Sequence, residues 1–146
     1  MGVVLRRCTT GIVEGWLARA KQSDLSVVPL SDEQPAAHIP RLVEDLALRL
    51  SKSSAAIEDS DAISAAAVAH GKLRYLQGYT LDMLVDESRI TEVTVFGMLQ
   101  SNLNSLDFSL LLPDVTAIAD EVDGQLTRSM DGYMELKARE DGRGLA

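Results

Sequence analysis

The sequence predicts an all-α fold, a helical bundle of about five helices with a long C-terminal helix. Aromatic residues make up only 4% of the chain, so the core must come mainly from aliphatic residues and Ala, and Ala and Leu favour helices. Apolar residues recur at spacings of three and four along most of the chain, as on one face of a helix. We find no segment of strand length that alternates polar and apolar residues, which is the pattern of a half-buried strand.

The first two helices follow from spacing and proline positions. Residues 3–21 carry an amphipathic pattern and form the first predicted helix. Residues 22–30 are a predicted loop, and the Ser-Asp-Glu-Gln capping box within 31–37 predicts one short turn. Pro40 suits the first position of a helix, where its missing N–H costs nothing, so the second helix is predicted from Pro40 to about Ser53.

The middle of the chain predicts two helices joined by a short turn. Residues 54–61 are a predicted turn, and the third helix then runs to Gln77. Gly78 is suited to end that helix in a left-handed conformation, and Thr80 to cap a fourth helix over 81–106. Because so few residues connect the two helices, we expect them to lie side by side as an antiparallel hairpin.

The fourth helix carries apolar residues on two stripes, which is typical of a central helix or of one at a subunit interface. The first stripe contains Leu81, Leu84, Val85, Val95, Leu99 and Leu106, and the second contains Met83, Ile90, Val93, Phe96 and Leu103. A turn at 107–112 leads to Pro113, and the last helix is predicted over 114–139, with residues 140–146 as a frayed tail. Apolar surface of this extent predicts a two-fold homodimer through these two helices.

Size, charge and cysteine content restrict the class of protein. With 146 residues the chain is predicted to be a single domain, residues 1–146. Its net charge of −8 repels nucleic acid and anionic membranes, so we expect neither as a partner. Cys8 is the one cysteine, which excludes an internal disulfide and fits a reducing, cytoplasmic location. No stretch of the sequence approaches the 18 apolar residues of a membrane span.

The sequence predicts a protein without catalysis, metal or cofactor of its own. His38 and His70 are the two histidines, and neither follows a glutamate at the spacing of a di-iron bundle or lies in a His-Glu-x-x-His motif. Cys8 has no glycine-rich elbow around it, and the glycines do not form a phosphate-binding loop. We therefore predict no catalytic residues and no enzyme.

One dense polar cluster is the candidate site. His70 and Arg74 are four residues apart on one helix face, Tyr79 lies in the turn, and Glu87 lies about two turns into the next helix. We expect Arg74 and Glu87 to form an ion pair across the turn, with His70 and Tyr79 completing a polar network. Two interpretations remain open: a network that locks the hairpin, or a ligand-binding or switch site.

These residues resemble a known family. Residues 70–87 read HGKLRYLQGYTLDMLVDE, which is similar to the His-Gly-x-x-Arg-x-x-x-Gly-Tyr-Ser/Thr-Leu pattern of the N-terminal domains of RsbT co-antagonist proteins (the RsbRD type). The resemblance covers roughly residues 12–100 and is most specific at 70–87. It implies a helical sensory or scaffold domain that precedes an anti-sigma-antagonist-type domain or a sensor histidine kinase. It implies no particular ligand.

The predicted function is therefore that of an N-terminal signal-input and dimerisation domain in a bacterial signalling protein. The expected partners are a second copy of the chain and an output domain, either in the same polypeptide or in a partner protein. The alternative is a globin-like or other cofactor-binding sensor in which His70 is the ligand. An enzyme is the third and least favoured class.

Overall fold

All regular elements in the described part of the chain are helical. The computed structural model describes residues 1–23, 37–51 and 60–144. The α-helices in these ranges are α1 (Gly2–Arg7), α2 (Thr9–Lys21), α3 (Ile39–Ser51), α4 (Ser60–Leu76), α5 (Leu81–Gln100) and α6 (Leu111–Gly144). Two 3-10 turns, Leu103–Ser105 and Phe108–Leu110, lie between α5 and α6. The prediction of an all-α bundle with a long last helix is confirmed, and none of the described helices combines the length and the apolarity that crossing a bilayer needs.

The tightest helix contact is between α4 and α6, and glycines make it possible. A Cβ on Gly71 would lie 1.7 Å from the carbonyl oxygen of Ser129, and a Cβ on Gly132 would lie 2.1 Å from that of Val68. The Ser129 hydroxyl donates a 3.0 Å hydrogen bond to the carbonyl oxygen of Ala67. The two backbones therefore touch directly, at a distance that no larger residue at 71 or 132 allows.

Helices α4 and α5 diverge, although a short turn joins them. Helix α4 packs mainly along α6, whereas α5 packs against α2 and α6, and α3 against α1, α2 and α6. The predicted side-by-side hairpin is therefore wrong. Its physical reason is the small-residue surface of α4, because Gly71 lets α6 approach more closely than α5 can. Long polar side chains span the space left between α4 and α5.

The hydrophobic core is formed mainly by buried residues of α1, α2, α3, α5 and α6. It is built from fully buried aliphatic side chains and one indole, as the low aromatic content predicts; its largest members are Trp16, Leu5, Ile12, Ile39, Leu46, Leu84, Ile118, Val43 and Val95. Part of the second predicted stripe of α5 stays exposed, including Val93. The core thus uses one face of α5 and leaves apolar surface on another.

The single helix predicted at 3–21 is two helices, separated at Cys8. The Cys8 N–H is shared between the carbonyl oxygens of Val4 and Leu5, at 3.0 and 3.2 Å. The Thr9 hydroxyl donates a 2.8 Å hydrogen bond to the carbonyl oxygen of Arg6. A threonine hydroxyl that binds the preceding turn in this way competes with the regular helical bonds, and the helix breaks there.

Helix α5 ends at Gln100, six residues before the predicted end. The Asn102 side-chain amide donates to the carbonyl oxygen of Met98 at 2.8 Å, and the Ser101 hydroxyl donates to that of Gly97 at 3.1 Å. The Asn102 side chain thus takes the Met98 carbonyl that the Asn102 N–H would bind in a longer helix, and that N–H donates to the carbonyl oxygen of Leu99 instead, at 3.0 Å.

Helix α6 is longer at both ends than the predicted 114–139. It begins at Leu111, so Pro113 lies in its first turn, where a missing N–H breaks no helical bond. The expected fraying of 140–146 is wrong for 140–144, because the helix continues to Gly144 and the Tyr75 hydroxyl donates to Glu140. The turn expected within 31–37, most of the loop at 22–30 and most of the turn at 54–61 lie outside the described residues.

Candidate functional site

The candidate site is a buried group of charged side chains between α4 and α5. His70 and Arg74 come from α4, and Glu87 comes from α5. The side chains of Arg74 and Glu87 are each 4% exposed, and that of His70 is 19% exposed. Arg74 Nε lies 2.9 Å from Glu87 Oε2, and His70 Nε2 contacts the other carboxylate oxygen, Oε1. One carboxylate thus receives two basic side chains from the neighbouring helix.

The turn between the helices fixes this register. Gly78 has φ +87°, a conformation that suits glycine, and its N–H donates to the carbonyl oxygen of Tyr75. The Tyr79 N–H donates to the carbonyl oxygen of Arg74 at 3.0 Å, which completes a Schellman motif at the end of α4. Thr80 then caps α5 by accepting a 3.2 Å hydrogen bond from the Met83 N–H. The predicted roles of Gly78 and Thr80 are confirmed.

His38 joins the cluster from a distant part of the sequence. It lies one residue before α3, and its ring centroid is 4.6 Å from that of His70, with the two planes at 34°. Trp16 packs edge-on against His38, with centroids 5.3 Å apart. Arg74 Nη2 lies 3.5 Å from His38 Nδ1, the outer limit of a hydrogen bond. Both histidines of the chain therefore meet at Glu87.

A buried hydrogen-bond chain connects Trp16 to the backbone of Glu87. The Trp16 indole N–H donates to the Thr91 hydroxyl at 3.1 Å. The Thr91 hydroxyl in turn donates to the carbonyl oxygen of Glu87 at 2.9 Å. These bonds tie α2 to the turn of α5 that holds the carboxylate.

Arg74 and Tyr79 form the side of the cluster nearest the turn. The guanidinium lies 4.9 Å from the centre of the Tyr79 ring, and its Nη1 donates to Gln77 Oε1 at 2.8 Å. Tyr133 of α6 donates its hydroxyl to the carbonyl oxygen of Tyr79 at 2.7 Å. Burial, and then the charge of Glu87, raise the pKa of the Tyr79 hydroxyl well above its ordinary value. Tyr79 therefore stays neutral at physiological pH.

The cluster holds the carboxylate in its charged form. Burial alone would raise the pKa of Glu87. The hydrogen bond from His70 and the electrostatic attraction of His38, His70 and Arg74 outweigh burial and lower the pKa to about 2. Glu87 is therefore an anion at any physiological pH.

A small cavity opens beside the cluster. Its volume is about 50 Å³, room for one or two water molecules. It is lined on one side by His38, His70 and Glu87 and elsewhere by Leu42, Leu84, Ser88, Thr91, Val122, Gln125, Leu126 and Ser129. The site thus combines buried charge with a small cavity that polar groups line.

Three side chains of the cluster have the chemistry of metal ligands. One donor atom each from His38, His70 and Glu87 lie within 4.8 Å of one another. The sequence predicted no metal site, because neither histidine has a ligand-type neighbour at a recognised spacing. Arrangement in space, which sequence spacing does not reveal, brings the three together.

Four residues of this site were predicted from the sequence, and two others were not. His70, Arg74, Tyr79 and Glu87 are together, and the predicted Arg74–Glu87 pair is present. His38 and Trp16 were not predicted, because the contacts between α2, α3 and α4 are long-range. The sequence offers no signal for His38, which lies between the turn predicted within 31–37 and the helix predicted from Pro40.

Comparison with protein family models, with curated protein sequences and with solved structures gives no match for this chain. The similarity to RsbT co-antagonist domains thus remains an expectation from residues 70–87.

Proposed function

We propose that this chain is a signal-input and dimerisation domain of a bacterial cytoplasmic signalling protein, without catalysis of its own. The observation that carries the proposal is the buried charged cluster around Glu87, which lines a small cavity. Such a cluster is a poor device for stability, because desolvation of two charges cancels most of their attraction. A buried charged group beside a cavity instead favours a ligand or switch site.

Contacts with α6 provide the proposed route from the cluster to an output. Tyr133 binds the backbone of Tyr79, which lies directly under Arg74, and Ser129 both lines the cavity and binds α4. A change in the position of α4 must move α6 as well, since their backbones touch at Gly71 and Gly132. At 34 residues, α6 is about 50 Å long and reaches well beyond the cluster.

Exposed apolar residues support the dimer part of the proposal. Val85 and Val93 of α5 are each 44% exposed, and Leu112 and Met134 of α6 are also exposed. We place the two-fold interface on these helices. Sedimentation equilibrium at tens of micromolar chain should find a dimer, and Val93→Glu should shift it towards monomer. Val3→Glu, which changes an exposed valine of α1, is the matched control and should leave the dimer intact. A monomeric parent chain would contradict this part.

Hydrogen exchange tests the signalling part. His70→Gln should change amide exchange in α6 beyond Tyr133, as well as in α4 and α5. Arg89→Gln is the control, because Arg89 lies exposed on α5 in an ion pair with Asp86. It should leave exchange in α6 unchanged. If His70→Gln alters exchange only in α4 and α5, the cluster locks the turn and does not pass a signal.

The alternative expectation, a globin-like sensor with His70 as the ligand, has no specific observation in its favour. A cavity of about 50 Å³ beside His70 is far too small for a porphyrin. Binding of such a group would require α3, α4 and α5 to separate.

A further inference from the structure

We propose that His38, His70 and Glu87 bind one divalent transition-metal ion such as Zn²⁺. The binding follows from the geometry of the three side chains. Only its use as a signal rests on the proposed function. The donor set is two imidazole nitrogens and a carboxylate oxygen, which suits Zn²⁺, Ni²⁺ and Co²⁺. It does not suit Mg²⁺ or Ca²⁺, which prefer oxygen ligands throughout.

The distances require only small movements. Bonds of about 2.1 Å in a tetrahedral site place donor atoms about 3.4 Å apart. The three donor atoms lie within 4.8 Å of one another, and His70 Nε2 already contacts Glu87 Oε1. His38 lies one residue before α3, so rotation of its side chain, without movement of a helix, can close the remaining gap of up to about 1.4 Å.

The groups around the ligands match a metal site with an open position. Arg74 Nε lies beside Glu87 Oε2 and orients the carboxylate from that side, while Oε1 is the oxygen that His70 contacts. An ion bound between them would replace this direct contact between His70 and Oε1. The cavity adjoins all three ligands and has Thr91 and Gln125 in its wall, so it can hold a water molecule on the ion. The positive charge of Arg74 weakens attraction for a cation, and we therefore expect micromolar rather than nanomolar affinity.

Zinc titration of the chelator-stripped, untagged chain tests the proposal directly. Calorimetry should show one Zn²⁺ per chain, and Co²⁺ should give the visible bands of a tetrahedral site without a thiolate charge-transfer band. His38→Gln and His70→Gln should each weaken binding at least tenfold. They are decisive because the chain has two histidines and both lie in this site. Cys8→Ser is the matched control and should bind like the parent.

Several outcomes would overturn the proposal. These are no uptake of Zn²⁺ at 100 µM, binding that survives both histidine changes, or binding that disappears in Cys8→Ser. Glu87→Gln is a third test, provided that its circular dichroism spectrum matches that of the parent. Of the three ligand variants, His38→Gln is the one that we expect to disturb folding least, because His38 is only half-buried. If zinc does not bind but His70→Gln still changes exchange in α6, the metal site is wrong and the input function stands. If zinc binds but hydrogen exchange in α6 does not change, the metal site stands and the input function is wrong.

Discussion

The contact between α4 and α6 predicts that one added methyl group at Gly132 destabilises the fold. A Cβ there would lie 2.1 Å from the Val68 carbonyl oxygen, whereas real Cβ contacts are essentially never under 3.0 Å. The obstacle is backbone, so it cannot rotate away. In Gly132→Ala the helices must separate by about 1 Å, which also stretches the bond from Ser129 to Ala67.

The expected cost is the difference between two effects. Overpacking of this kind costs about 1–3 kcal/mol, and the rigid backbone places this site at the upper end. Alanine gains about 1 kcal/mol over glycine inside a helix. Gly132→Ala should therefore lose about 2 kcal/mol. Gly124→Ala is the matched control on the same helix, because a Cβ at Gly124 meets nothing within 4 Å, and it should gain up to about 1 kcal/mol.

Urea unfolding followed by far-UV circular dichroism measures both variants at one chain concentration. We expect midpoints on opposite sides of the parent, with about 3 kcal/mol between the two free energies of unfolding. If Gly132→Ala is as stable as Gly124→Ala, the helices do not touch at this point. The coupling of α4 to α6 then loses its basis.

Three further predictions concern the cluster and its connections. Arg74→Ala and Glu87→Ala should each cost about 3–5 kcal/mol by stranding a buried charge, and the double variant should cost less than their sum in thermal melts. The pKa of Glu87 falls from 4.5 to about 2 on folding, so the ionised side chain adds to the free energy of unfolding. This stabilisation is complete above pH 4.5 and is lost as the pH falls towards 2. Between about pH 5 and pH 3 the parent should therefore lose more stability in urea than Glu87→Gln; equal losses would show that Glu87 has an ordinary pKa. Tyr133→Phe should cost about 1–3 kcal/mol, because the Tyr79 carbonyl loses its donor, whereas Tyr75→Phe, which removes an exposed hydrogen bond, should shift the melting temperature less than Tyr133→Phe does.

Local signals in the sequence explain what could be predicted. Gly78 and Thr80 act on their own neighbours in the chain, so the turn between α4 and α5 and the start of α5 follow from the sequence. The Arg74–Glu87 pair was predicted because the short turn limits how far the two residues can separate. The pair forms although the helices diverge, since both side chains are long.

Long-range packing explains what could not be predicted. The position of α4 depends on how closely Gly71 and Gly132 approach the opposing backbone, and a sequence without a structure does not pair those two glycines. The place of His38 depends on how α3 packs against α2 and α6. No spacing in the sequence could therefore bring His38 to His70 and Glu87.

The proposed function requires that the cluster around Glu87 binds a ligand and passes the resulting change to α6. The most direct test compares hydrogen exchange of the zinc-free and zinc-saturated chain in the part of α6 from Tyr133 to residue 144. We predict slower exchange with zinc in the parent and no difference in His70→Gln. Identical exchange with and without zinc in a parent chain that binds the metal would contradict the claim.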